Sequence, residues 1–122
     1  MPTEPDPITL SEVARRATEI VDSAGADDDV THFYTQLEDD DRPITTVQDL
    51  EGRLALATDG LEEDAENPLL EMAVATVLYL SHRRDEMDDD PDDILRLAAR
   101  AEWSGKPPEY VADWLATRGV DV

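Results

Sequence analysis

The chain has 122 residues, no cysteine and a formal net charge of −21, from 31 acidic and 10 basic residues. A chain of this length suffices for one domain, because it buries roughly two-thirds of its unfolded surface, and it is too short for two comfortable domains. The absence of cysteine excludes disulfides, thiolate zinc sites and cysteine nucleophiles.

The N-terminal segment 1–8 contains three prolines and lacks the basic and apolar regions of a signal peptide. We expect it to be a disordered lead, followed by a single helical domain over 9–122. The longest apolar stretch, Leu69 to Leu80, contains Glu71 and is shorter than the roughly 20 residues of a membrane span. These features predict a cytoplasmic protein without a membrane segment.

Acidic residues occur in every segment, with aspartate runs at 27–29, 39–41 and 88–90, and Lys106 is the only lysine. In this composition the whole chain resembles the proteins of salt-accumulating halophilic archaea, a resemblance that indicates a habitat and no functional family. It implies a solvated acidic surface whose self-repulsion is screened at molar salt, where the Debye length falls to about 3 Å. The even spread disfavours a second interpretation, an acidic block that mimics nucleic acid or attracts a basic partner.

Apolar residues recur at helical spacing along the whole chain, and no sustained alternation of period two indicates a strand. We therefore predict an all-α fold, a compact orthogonal bundle of five or six short helices. Helix one covers about 10–24, from a capping box at Thr9 and Glu12 to a stop at Gly25. Its apolar stripe is Leu10, Val13, Ala14, Ala17, Ile20, Val21 and Ala24.

Helix two begins at the acidic run 27–29 and is expected to end at Arg42-Pro43, and Thr45 or Thr46 caps helix three. Helix four, at about 68–84, follows Asn67 and is apolar around nearly its whole circumference, so it should be the central helix. Helix five starts at Asp90-Pro91. Its predicted inward face is Ile94, Leu97, Ala98 and Ala101.

Helix six covers about 109–118, and Gly119 allows a Schellman-type end in which Val120 folds back onto Leu115. The apolar residues predicted to lie together on this helix are Tyr110, Val111, Trp114 and Leu115.

Metal and cofactor motifs are weak throughout the sequence. Segment 27–38 places acids at positions 1, 3 and 12 of a calcium loop, but His32 stands where the loop requires glycine. His32 and His82 each lack a second histidine three or four residues away, as a zinc site would need. We predict no metal, no cofactor and no catalytic residue.

Two alternative functions remain open at this point. Helices two and three could form a helix-turn-helix regulator that binds nucleic acid, although Arg53 would be the only cation of the reading helix. A small enzyme could instead use buried carboxylates, and Glu71 is the one acid within the apolar helix. The plain interpretation of Glu71 is a first-turn acid that complements the helix dipole.

Leu56 and Trp103 depart most from an ordinary solvated surface. At 100° per residue each lies about 180° from the apolar stripe of its own helix. Such a side chain either packs under a neighbouring helix or marks a contact surface, and tryptophan, tyrosine and a cation beside two prolines are typical of an interface. The candidate partner-binding residues are Leu56, Trp103, Lys106, Pro107, Pro108 and Tyr110.

The leading hypothesis is therefore a non-catalytic protein–protein interaction or adaptor module, with a protein partner or self-association. Cations gathered on one face would favour nucleic acid, an exposed patch around Trp103 would favour a protein, and a pocket at Glu71 would favour an enzyme.

The first testable prediction is that stability depends on salt. Over thirty acids on a small surface repel one another, and salt screens that repulsion, so the melting midpoint should rise steadily from low salt to several molar KCl. Circular dichroism at a series of KCl concentrations measures it. A midpoint that stays flat or falls would contradict the resemblance to halophilic proteins.

Overall fold

The computed structural model describes residues 8–59, 61 and 67–120, which form six α-helices and two short 3₁₀ turns. The helices are α1 (Leu10–Val21), α2 (Asp28–Leu37), α3 (Leu50–Ala57), α4 (Pro68–His82), α5 (Pro91–Trp103) and α6 (Glu109–Thr117). The 3₁₀ turns are Ile44–Thr46 and Arg84–Glu86. Over these ranges there is no strand, only an isolated bridge between Thr9 and Pro43, and the predicted all-α class is confirmed.

Helix α4 is the centre of the bundle and packs against every other α-helix. Its buried side chains are Met72, Ala73, Ala75, Thr76, Val77, Leu80 and Ser81. The two buried hydroxyls, of Thr76 and Ser81, donate to the carbonyl oxygens of Met72 and Val77 one turn earlier, so neither is left unsatisfied. The predicted central helix is therefore found where the sequence places it, although it is too short to span a bilayer, like every helix in the described ranges.

The start of α1 is capped both locally and by a distant loop. The capping box forms as predicted, since the Thr9 hydroxyl accepts from the Glu12 amide and Glu12 accepts from the Thr9 amide. The capping box does not use the amides of Leu10 and Ser11. These two amides donate to the carbonyl oxygens of Arg42 and Asp40, respectively. The loop after α2 thus supplies acceptors that a helix N-terminus otherwise lacks.

The predicted lead 1–8 falls mostly on residues 1–7, which lie outside the described ranges. Ile8 is an exception within that predicted lead. Its side chain packs against the core and its carbonyl oxygen accepts from the Ile44 amide, so residue 8 belongs to the bundle.

Three helix boundaries differ from their predicted positions, and at two of them an aspartate side chain accepts from backbone amides. Helix α1 ends at Val21 instead of 24, because the Asp22 carboxylate accepts from the amides of residues 26 and 27 and turns the chain. Helix α2 ends at Leu37, before the acidic loop that caps α1. Asp49 caps α3 in place of Thr45 or Thr46, which lie in the 3₁₀ turn.

Helix α5 is rotated relative to its predicted inward face. Ile94 and Ala98 are buried as expected, but Leu95 and Ala99 are buried as well, while Leu97 is half-buried and Ala101 is exposed. The buried face of α5 is thereby turned towards Trp103, which follows Ala99 by one helical turn. Trp103 is half-buried and packs against the edge of the core.

Three arginines, Arg16, Arg53 and Arg118, link parts of the bundle that are distant in sequence. Arg16 of α1 donates to the carbonyl oxygens of Met87 and Asp89 before α5, and Arg118 after α6 donates to the Val21 carbonyl at the end of α1. A cation at a free helix C-terminus is favourable, since it complements the dipole. Seven of the ten cations donate within the chain: Arg16, Arg42, Arg53, Arg83, Arg84, Arg96 and Arg118.

Asp40 is the clearest charged cross-link. Its carboxylate, only 9% exposed, accepts from Arg42 and from Arg53 of α3, and Arg53 also donates to the Gln36 carbonyl of α2. The hydrogen bonds from Arg42 lower the pKa of Asp40 the most. Burial raises the pKa and the hydrogen bond from Arg53 lowers it again, so that it falls from 3.8 to about 2. The carboxylate therefore holds α3 to the loop that caps α1.

The second testable prediction concerns this cross-link. Because the pKa of Asp40 is lowered on folding, its contribution is complete above about pH 4 and is lost as the pH falls towards 2. Asp40→Asn should lower the free energy of unfolding by about 2 kcal/mol at pH 7 and by much less near pH 2. Urea unfolding across this pH range measures the difference, with Asp39→Asn, at an exposed neighbour, as the control. A constant difference between wild type and Asp40→Asn would contradict the prediction.

Candidate functional site

A cleft of about 520 Å³ opens between the end of α3, the first half of α4 and the end of α5. We call it the Trp103 cleft. Its lining residues are Ala55, Thr58, Asp59, Leu61, Asn67, Leu70, Glu71, Val74, Ala75, Glu102 and Trp103. It contains both a candidate partner-binding residue, Trp103, and the carboxylate that the sequence marks as unusual, Glu71.

Glu71 lies in the first turn of α4, one residue beyond the position that a capping box would use. Its backbone amide donates to the Asn67 carbonyl. Of its two carboxylate oxygens, Oε2 is withdrawn from solvent and has no hydrogen-bond partner, the one such buried side-chain atom in the described ranges. A buried polar atom without a partner is costly, and this cost falls on one oxygen of a side chain that is half-buried as a whole.

The Trp103 side chain lies at the C-terminal end of α5, where Ser104 ends the helix in a left-handed conformation and Gly105 follows with a φ of 83°. The chain therefore turns sharply after Trp103. Trp103 is half-buried, packs against the core and lines the cleft. This combination is common in the anchors of protein interfaces.

The charges of the Trp103 cleft are of one sign. Asp59, Glu71 and Glu102 line it, and none of its described lining residues is basic. Four other clefts of this surface each contain at least one arginine, from Arg15, Arg42, Arg53 and Arg84. Thr58 and Asn67 are its neutral polar lining residues, and the aliphatic part of its walls is formed by Leu61, Leu70 and Val74 with two alanines.

The other candidate partner-binding residues do not join Trp103 in this cleft. Leu56 is 69% exposed and is the one exposed large apolar side chain in the described ranges, but it borders a separate cleft beside Arg42 and Arg53. Lys106 is exposed, and its amide closes the turn by donating to the Trp103 carbonyl. Pro107, Pro108 and Tyr110 are half-buried, and Tyr110 packs against the core.

The residues of the calcium-like segment have structural roles. Asp27 caps α2 by accepting from the Val30 amide, and the Asn67 amide group donates to Asp27 and Asp29, which ties α2 to the start of α4.

Glu86, four residues after His82, accepts from the Tyr79 hydroxyl and pairs with Arg83. Burial, together with this bond to Glu86, raises the pKa of Tyr79 to about 12. No three potential metal ligands cluster among the residues that the structure describes.

The chain matches no protein-family model, no curated protein and no solved structure. The function of this chain is therefore inferred from the geometry of its own residues.

Sequence reasoning identified Trp103 and Glu71 separately but did not place them together. It also missed the α3 wall of the cleft, formed by Ala55, Thr58 and Asp59. A glutamate inside an otherwise apolar helix was the available signal, since such a residue is rarely retained without a partner.

The third testable prediction concerns Glu71 in the free protein. Glu71→Gln removes a charge whose Oε2 is desolvated and unpartnered, while it keeps the shape of the side chain. We expect the free energy of unfolding at pH 7 to stay equal to that of the wild type or to increase by about 1 kcal/mol. Denaturant unfolding measures it, with exposed Glu102→Gln as the comparison. A loss of stability of about 1 kcal/mol or more would show that Glu71 serves the fold.

Proposed function

We propose that the protein is a non-catalytic interaction module that binds a protein partner through the Trp103 cleft. One observation supports the proposal. Trp103, which is half-buried, and Glu71, which has one buried oxygen without a partner, line the same cleft, and the described side chains leave that cleft open. Interface hot spots are typically aromatic anchors beside groups that become desolvated on binding.

The cleft at Glu71 also bears on the enzyme hypothesis, because catalysis requires convergent groups of different chemistry. The polar lining residues other than the acids are already engaged. The Thr58 hydroxyl donates to the Ala55 carbonyl, and the Asn67 side chain caps α4 while it donates to Asp27 and Asp29. Three acids and a tryptophan remain, a set better suited to binding a ligand than to transforming one.

A nucleic-acid role finds less support than a protein partner. The proposed reading helix, α3, starts with Asp49 and Glu51, and its one cation, Arg53, is held by Asp40 and the Gln36 carbonyl. Phosphate contacts need several available cations, and most cations here are engaged within the chain.

The fourth testable prediction separates binding from folding by comparing the two tryptophans. Trp114 of α6 packs beneath the guanidinium of Arg118, 5.1 Å from the ring centroid, and Arg118 in turn bonds the end of α1. Both tryptophans are half-buried, and we expect Trp114→Ala to lower the melting midpoint more than Trp103→Ala does, because it also removes the contact with Arg118. Trp103→Ala should lower it less and should weaken partner capture.

The measurement pairs thermal melting with capture from a lysate of the source cells at molar KCl, using immobilised wild type and both variants. A partner that is retained by the wild type and by folded Trp114→Phe, but not by Trp103→Ala, supports the module. If Trp103→Ala destabilises the monomer as much as Trp114→Ala, Trp103 is part of the core and the proposal loses its anchor. Equal capture by Trp103→Ala and the wild type would also contradict it.

A further inference from the structure

We propose that α6 exchanges between two copies of this chain, so that the α6 of each copy packs on the α4 of the other and a closed dimer forms. This exchange goes beyond the proposed function and does not depend on the Trp103 cleft. Two features support it: the conformation of the connector between α5 and α6, residues 104–108, and the way in which α6 packs on the bundle.

The connector between α5 and α6 is held less firmly than the three other connections that the structure describes in full. The Asp22 carboxylate fixes the connection from α1 to α2, the Asp40 carboxylate fixes the loop from α2 to α3, and Arg16 binds the connection from α4 to α5. Within the described ranges, no side-chain hydrogen bond involves residues 104–108. A single backbone bond, donated by the Lys106 amide to the last carbonyl of α5, closes this turn.

The reversal of the chain is concentrated in two residues with positive φ. Ser104 has a φ of 54° and is the one residue other than glycine with a positive φ in the described ranges, and Gly105 follows with a φ of 83°. A serine in the left-handed region is strained, because its Cβ lies too close to the following carbonyl oxygen. Short connectors under strain favour exchange between copies, since opening relieves the strain. Opening this connector lets Ser104 leave the left-handed region in both copies.

Two prolines complete the connector and keep it extended. Pro108 has a φ of −53° and a ψ of 151°, an extended conformation. A proline fixes its own φ and keeps the residue before it out of the helical region, so Lys106 and Pro107 are also disfavoured in a helix. Helix α5 therefore cannot continue through the connector when Ser104 and Gly105 change conformation. The open connector carries α6 away from the α4 of its own chain.

Helix α6 docks on the bundle as one small unit. It packs mainly on α4 and buries Val111 and Leu115, and Val120 beyond its end is buried as well. Arg118 adds the hydrogen bond to the Val21 carbonyl at the end of α1. Release of such a unit costs less than global unfolding, because the other helices keep their contacts around α4.

The occupant that fits the vacated face of α4 is the α6 of a second copy. It restores the contacts that the first α6 made, including the bond from Arg118 to the Val21 carbonyl. Residues 109–118 contain two acids, Glu109 and Asp113, and one cation, Arg118, so the exchanged helix carries a net charge of only −1. Molar salt screens the repulsion between the two acidic chains. Because the exchange is reciprocal, both faces are filled and assembly stops at the dimer.

Two glycine-to-alanine substitutions test the exchange. Gly105 and Gly119 have φ values of 83° and 77°, and a Cβ added at either meets no atom within 4 Å, so each substitution adds backbone strain without a clash. Gly105→Ala strains only the closed connector, and it should lower the dissociation constant of the dimer by about tenfold or more. Gly119→Ala strains the end of α6, which is the same in monomer and dimer, and should change the constant by less than about twofold.

Ser104→Gly makes the opposite change. It relieves the strain of the closed turn, so it should raise the dissociation constant by about tenfold relative to the wild type. Sedimentation equilibrium of the full-length proteins, at the KCl concentration of highest stability, measures these constants. Samples are incubated until concentrated monomer and diluted dimer reach the same distribution, and circular dichroism verifies that each variant is folded.

Isotope-filtered NMR spectra distinguish an exchanged helix from an ordinary dimer. In a Gly105→Ala dimer of one ¹³C-labelled and one unlabelled chain, exchange produces nuclear Overhauser effects between α4 of one chain and α6 of the other. A dimer without these intermolecular effects would overturn the inference. So would equal dissociation constants for Gly105→Ala and Gly119→Ala, a tighter dimer for Ser104→Gly than for the wild type, or a Gly105→Ala protein that stays monomeric up to its solubility limit.

Discussion

Helix α4 is apolar around nearly its whole circumference, and this feature determines the architecture. An amphipathic helix can lie on a surface, but a helix with apolar residues around its circumference must be surrounded. The other five helices meet this need by turning one apolar stripe each towards α4, while their outer faces carry the acids. The dense negative charge is thus confined to the outside, where solvent and salt can screen it.

Three of the ten cations act as tertiary links. In a chain with 31 acids, an arginine would be expected to pair with a nearby carboxylate, and Arg42 and Arg96 do so. Arg16 and Arg118 instead reach main-chain carbonyls far away in the sequence, and Arg53 adds a bond to the Gln36 carbonyl to its ion pair with Asp40. Each of these contacts satisfies a carbonyl that regular secondary structure leaves free. This use of arginine also leaves few cations for a nucleic-acid surface.

Features encoded within a few residues were predictable from the sequence. The capping box of α1, the Asn67 cap of α4 and the Schellman end at Gly119, where the Val120 amide donates to the Leu115 carbonyl, all occur where predicted. Features that depend on packing were not predictable. The stripe of α5 was assigned from Leu97 and Ala101, whereas contacts with α4 select Leu95 and Ala99. Alanines on several faces leave the rotation of a helix ambiguous until its neighbour is known.

The same ambiguity explains why the candidate site was only half predictable. Trp103 was correctly separated from the centre of the apolar stripe, but the 180° estimate took Ile94 as that centre, and burial of Leu95 and Ala99 brings the ring to the stripe's edge. That shift places Trp103 beside the core and in the wall of a cleft, whereas the sequence left open whether it packs under a neighbouring helix or marks a contact surface. Glu71 comes from a different helix, and no local pattern relates the two residues.

At Glu71, local stability and the proposed binding role have opposite requirements. A glutamine or an apolar residue at position 71 would avoid the desolvated carboxylate oxygen, and the surrounding helix is otherwise apolar. Natural chains retain such a cost mainly where function requires it, because binding can then recover the free energy that the unpartnered group costs in the folded state. A buried acceptor without a donor is therefore more informative about function than the thirty other acids, because solvent already satisfies most of them.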